Sequence, residues 1–120
     1  MAQSLLIISR QAPWSGPGAR EALDIVLAGG AFDLPIGLLF LDDGVFQLAP
    51  GQQAAAVQQK DLSANLQALS LFGVEQVFAC GASVAERGLD PAALNLDEVQ
   101  VLAPAELGVL IDRFDQVITL

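Results

Sequence analysis

The chain has no histidine, no tyrosine, a single cysteine and only five basic residues. Without histidine, the commonest metal ligand and every His-based nucleophilic triad are gone. Without tyrosine, another common acid or base is gone as well. One cysteine cannot close an internal disulfide, which agrees with a reducing compartment. The five cations (Arg10, Arg20, Lys60, Arg87, Arg113) are scattered among fourteen acidic residues, for a net charge of −9. Affinity for a phosphate backbone rests on clustered Lys and Arg, so this balance argues against direct RNA or DNA binding. Long apolar runs are missing too. The longest, "LPIGLLFL" (34–41), suits a buried strand and falls far short of a membrane span. The start, "MAQSLLIISRQAPW", has no charged n-region followed by a long apolar core and a small-residue cleavage site. It reads as mature sequence, with a cytoplasmic location expected. What is left for chemistry is carboxylates, hydroxyls, one thiol and a few guanidinium groups, and no cofactor is expected.

What is present is apolar content. At 120 residues and 53% hydrophobic composition, the chain can bury one real core but not two, and disorder is excluded. "SLLIIS" (4–9), "PIGLLFL" (35–41) and "EQVFAC" (75–80) read as strands buried on both faces, with "VQVL" (99–102) and "QVITL" (116–120) as two more. Between them lie segments of helical spacing. Ala22, Leu23, Val26 and Leu27 mark the first, with Pro17 near its start and Gly29-Gly30 as its expected end. Leu62, Leu66, Leu69 and Phe72 mark a second, stopped by Gly73. "ASVAERG" (82–88) is a short third, and "PAELGVLIDRF" (104–114) a fourth with Pro104 at its first turn. Strands alternating with helices predict an α/β domain with a mainly parallel sheet. In such sheets, ligands and chemistry gather beyond the carboxyl ends of the strands. The loops at 9–18, 42–44 and Cys80 qualify by position.

Each of these loops has two readings. Cys80 ends a strand just before a short helix, where free N–H groups favour a thiolate; Gly81 and Ala82 would leave it open, and Ser83 could donate to it. Alternatively it is a small buried hydrophobe, since Arg87 is two helical turns away and no histidine exists to deprotonate it. "SGPGAR" (15–20) resembles an anion-binding loop but lacks the lysine and the glycine spacing of phosphate loops, so a plain strand-to-helix connection competes. Asp42-Asp43-Gly44 is either a cation-binding strand end or ordinary turn chemistry, with Gly44 supplying positive φ. The bulky Val45, Phe46 and Leu48 that follow either fold back on the core or meet a partner surface.

Two longer stretches carry a resemblance. "REALDIVLAGGAFDLPIGLLFLDDGVFQLAPGQ" (20–52) and "FGVEQVFACGASVAERGLD" (72–90) resemble the DsrE/DsrF/DsrH-like proteins. "DGVFQLAPGQ" (43–52) and "ASVAERGLD" (82–90) point most specifically to the TusC/DsrF branch. The resemblance implies one domain over 1–120 with a flavodoxin-like three-layer sandwich: a single, mainly parallel five-stranded sheet with helices on both faces. It also implies a dimer of heterotrimers built with TusB-like and TusD-like subunits, which relays persulfide sulfur to a downstream acceptor protein. In the Tus branch that sulfur reaches the 2-thiouridine of tRNA wobble positions; in the Dsr branch it serves dissimilatory sulfur oxidation. The family's acceptor cysteine belongs to the D-type subunit, and Cys80 occupies the corresponding place after the third strand. The resemblance therefore implies an accessory or architectural subunit, with Asp43, Gly44, Val45, Phe46 and Leu48 as a subunit contact. Two alternatives stand beside it. In one, the protein is an enzyme that carries persulfide on Cys80; in the other, it is a small-ligand module using Ser15–Gly18.

Overall fold

The computed structural model describes residues 4–12, 17–32, 34–48, 68–69, 71–74, 76–94 and 99–120. Five short strands carry the expected apolar runs: β1 (Leu5–Ser9), β2 (Ile36–Phe40), β3 (Gln76–Cys80), β4 (Gln100–Leu102) and β5 (Gln116–Thr119). They form one sheet in the order β4-β3-β2-β1-β5. Every pairing is parallel, so the sheet is parallel throughout. Parallel neighbours require crossover connections, and three of the four contain a described helix: α1 (Gly18–Ala31) after β1, α2 (Gly81–Glu86) after β3 and α3 (Pro104–Asp112) after β4.

Alternation along the strands sorts side chains to two faces. Ile7, Leu38, Phe40, Val77 and Ala79 pack with Ala22, Leu23 and Val26 of α1 and Val84 of α2. Leu6, Ile8, Leu39 and Phe78 point the other way, onto Leu110 of α3. The result is the expected three-layer sandwich, with α1 and α2 on one face and α3 on the other. Because β1 to β3 are covered on both sides, their sequences read as near-continuous apolar runs rather than as alternating ones.

Two termination signals behave as expected. Gly73 and Gly88 both adopt positive φ (80° and 70°). At Gly88 the Leu89 N–H reaches back to the Val84 carbonyl, and at Gly73 the Val74 N–H reaches back to that of Leu69. Of the second expected helix, Leu62 and Leu66 lie outside the described residues; Leu69 is buried and Phe72 is half-exposed. Gly29-Gly30 is a correction. The helix runs through both to Ala31, and both are buried. A Cβ on Gly29 would stand 2.8 Å from Ile36 Cδ1, and one on Gly30 2.6 Å from the Phe72 carbonyl oxygen. These glycines serve close packing of α1 rather than its end.

That distinction gives opposite signs for one chemical change. Gly30→Ala drives a methyl into backbone and should destabilise the chain by about 1–3 kcal/mol. Gly108→Ala, within α3 and with nothing within 4 Å of the new Cβ, should stabilise it by about 0.5–1 kcal/mol. Urea denaturation of the two variants checks this; shifts of the same sign would contradict it.

Candidate functional site

Three strands, β1, β2 and β3, end side by side at Ser9, Phe40 and Cys80, and the chain beyond each contributes to one polar cluster. After β2 the backbone turns at once into a 3-10 helix, Asp42–Leu48. Asp42 itself takes the positive φ of this turn, at 53°. Sequence reasoning gave that duty to Gly44, whose real role is spatial. A Cβ on Gly44 would overlap the Ser9 carbonyl oxygen, so only glycine lets the segment lie this close to β1. The Leu41 N–H donates to the same Ser9 carbonyl (3.0 Å), and the Gly44 N–H to the Leu41 carbonyl (2.9 Å).

The left-handed conformation at Asp42 costs of order 1 kcal/mol and must be held by its surroundings. Its N–H donates to Ser83 Oγ of α2 (3.0 Å), and its carboxylate accepts from Arg10 Nε (2.8 Å). Asp43 pairs with Arg87 at 2.9 Å, and Arg87 Nη1 also donates to the Ser83 carbonyl (3.4 Å). Beneath this layer, Gln47 Nε2 donates to Ser9 Oγ (2.7 Å) and to the Gln11 carbonyl (3.1 Å). Gln47 and Ser9 are both buried, so this pair satisfies polar atoms that have left water. Arg10, Gln11, Asp42, Asp43, Arg87 and Thr119 line an open polar depression of about 430 Å³ above the strand ends. Its two carboxylates each face an arginine. Among the described residues, no group of three or more His, Cys, Asp or Glu side chains converges.

The thiol is not in this cluster. Cys80 is the last residue of β3 and the residue before α2, yet its side chain does not cap the helix. It is 4% exposed and opposite Leu102 in the β3–β4 register. Gly81, expected to leave the sulfur open, instead admits β4: a Cβ there would sit 3.0 Å from the Leu102 carbonyl oxygen. Ser83 Oγ accepts from the Asp42 N–H, which turns it toward the β2 turn, and Arg87 donates to Asp43, so the one nearby cation is engaged away from the thiol. The expected subunit contact divides in the same way. Val45 and Leu48 are wholly buried in the chain's own core, and Gly44 is buried against β1, so none of the three can offer its side to a partner. Asp43 is exposed and Phe46 partly so. Of the Ser15–Gly18 loop, Ser15 and Gly16 lie outside the described residues. Reading the sequence missed Arg10 and Gln47. Arg10 could have been found as one of five cations placed directly after a strand; nothing local marked Gln47.

A family model for the DsrE/DsrF-like family matches residues 3–120. A protein named TusC homolog from Pseudomonas aeruginosa is 66% identical over 120 residues, covering all of both chains. Protein TusC of Klebsiella pneumoniae (strain 342) is 40% identical over 111 residues, 92% of this chain and 93% of its own. Among solved structures, the ychN protein from E. coli matches with a TM-score of 0.82 over 98% of this chain and 99% of its own. At 22% identity, that last likeness is one of fold.

Burial ranks the polar contacts of the cluster by energy. Gln47→Leu strands the Ser9 hydroxyl and the Gln11 carbonyl, and should cost about 2 kcal/mol. Arg10→Gln removes an ion pair whose side chains are 53% and 42% exposed, and should cost under about 1 kcal/mol. Denaturant titration of both variants decides; a larger loss for Arg10→Gln would reverse the ranking. A Ser9→Ala, Gln47→Leu double variant should be less destabilised than the sum of its parts, since the stranded hydroxyl is gone.

Proposed function

The chain belongs to the DsrE/DsrF-like family and is of the TusC type within it; from that premise we propose a role that is mainly architectural. It is a TusC-like subunit of the sulfur relay that supplies 2-thiolation of tRNA wobble uridine. We read residues 1–120 as one DsrE/F-like domain, working in the cytoplasm beside homologous TusB-like and TusD-like subunits in a dimer of heterotrimers. The net charge of −9 suits a position upstream of the RNA-modifying enzyme, with sulfur handed on by way of a downstream acceptor protein. The relatives' TusC name favours this branch over sulfur oxidation.

One observation carries the architectural reading: the sole thiol is 4% exposed, and the neighbouring Ser83 and Arg87 are held by Asp42 and Asp43. Sulfur relay proceeds by attack of an accessible thiolate on a persulfide, and access is what Cys80 lacks. The competing reading, Cys80 as a sulfur carrier, rests on its place at a strand end before a helix. No helix of the described residues is long and apolar enough to cross a membrane.

Co-expression with tagged B- and D-type subunits should retain this chain in a stable complex; a soluble monomer that ignores both would sink the reading. Within such a complex, Cys80→Ser and Cys80→Ala should leave cellular 2-thiouridine near the wild-type level. Loss of the modified base in both variants, with the complex still assembled, would make Cys80 a relay thiol.

A further inference from the structure

The two faces of the sheet are covered unequally. Among the described residues, α1 and α2 pack on one face and α3 alone on the other. Five strands about 4.8 Å apart span about 19 Å, and one helix about 10 Å wide covers roughly half of that. Among the described residues, a part left open beside α3 lies over β4, which is exposed or half-buried along its length. There Phe78, Gln100 and Leu102 form the floor of a groove of about 330 Å³. Phe78 and Gln100 are opposite each other in the register, so they share the α3 face. The wall is a single stripe of α3, in which Glu106, Val109, Leu110 and Arg113 recur at helical spacing. Val109 is 65% exposed on that stripe, beside Leu110, the one buried residue of α3.

The charges on the rim state what fits. Arg10, Arg20 and Arg87 each hold a carboxylate, whereas Arg113 has no ion pair among the described residues. An exposed guanidinium left unpaired in a chain of net charge −9 favours an anionic group on the occupant. Glu106 stands seven residues earlier, about 10 Å along the helix, with one oxygen accepting from the Ala103 N–H (2.9 Å). We propose that this groove is a docking surface for an amphipathic helix of a partner subunit, seated beside α3. Its apolar face covers the exposed Val109 and the half-buried Leu102, above the already buried Phe78 and Leu110. A carboxylate on it meets Arg113, and a basic residue about two turns away meets Glu106. A second copy of this chain is the poorer occupant, because two surfaces of net charge −9 repel. The inference rests on the complex proposed above and adds to it the face that is used and the chemistry of the segment bound there.

The test compares Val109→Lys and Arg113→Glu with Arg20→Glu, which makes the same charge change on the opposite face. Each is co-expressed with tagged B- and D-type subunits. Both groove variants should reduce recovery of the complex about tenfold or more, and Arg20→Glu should change it less than about twofold. A maleimide should label the V109C thiol in the isolated chain and fail to label it in the complex. Groove variants that assemble like wild type, or equal labelling in the two states, would overturn the docking site and leave the complex standing. Wild-type chain that recovers with neither subunit would overturn the complex and this inference together. Self-association that Val109→Lys abolishes would assign the groove to a second copy and overturn the proposed occupant.

Discussion

The carboxyl end of the sheet depends on one close approach, that of Gly44 to the Ser9 carbonyl. Only a residue without Cβ fits there, and its fit seats the Asp42–Leu48 helix directly on the end of β1. From that seating follow the burial of Val45 and Leu48, the reach of Gln47 to Ser9, and the placing of Asp42 and Asp43 between Arg10 and Arg87. Residues from after β1, β2 and β3 are thereby joined at one point. In many open α/β sheets the same place is left free for a ligand. Here the chain's own ion pairs and a buried amide fill its floor, beneath an open polar depression.

This filling separates position from reactivity. Cys80 stands where a strand meets a helix, the usual setting for an activated thiol, yet α2 has six residues and the sulfur is covered. Ser83 is turned to the Asp42 N–H, which helps hold a left-handed residue in place. Arg87 offsets Asp43. The groups that might have activated the thiol are used to fix the neighbouring loop. This arrangement is what supports the proposed architectural role.

Strands and layers were legible because their signals are local and repeated. Apolar runs such as "LLIIS" and "IGLLF", punctuated by Pro17, Gly73, Gly88 and Pro104, are enough to place β1, β2 and the helix ends. The site was legible only in part. Asp42-Asp43-Gly44 was recognisable as a turn, but a turn motif does not say which residue takes positive φ or which backbone lies against it. The apolar residues after Gly44 had two readings, and the choice between them depended on the distance from β1, which no spacing in the sequence encodes. Gln47 and Arg10 matter through contacts more than thirty residues apart, and such contacts leave no periodicity. Gly29 and Gly30 misled for a related reason: glycine also marks close packing, and only the fold tells the two uses apart.

On the function proposed above, this subunit shapes a sulfur relay without carrying sulfur itself. Intact-mass analysis of the assembled complex after incubation with a persulfide donor tests it most directly. Added sulfur is expected on a partner subunit, with an unchanged mass for this chain. An added sulfur on this chain, absent from its Cys80→Ala variant, would contradict it.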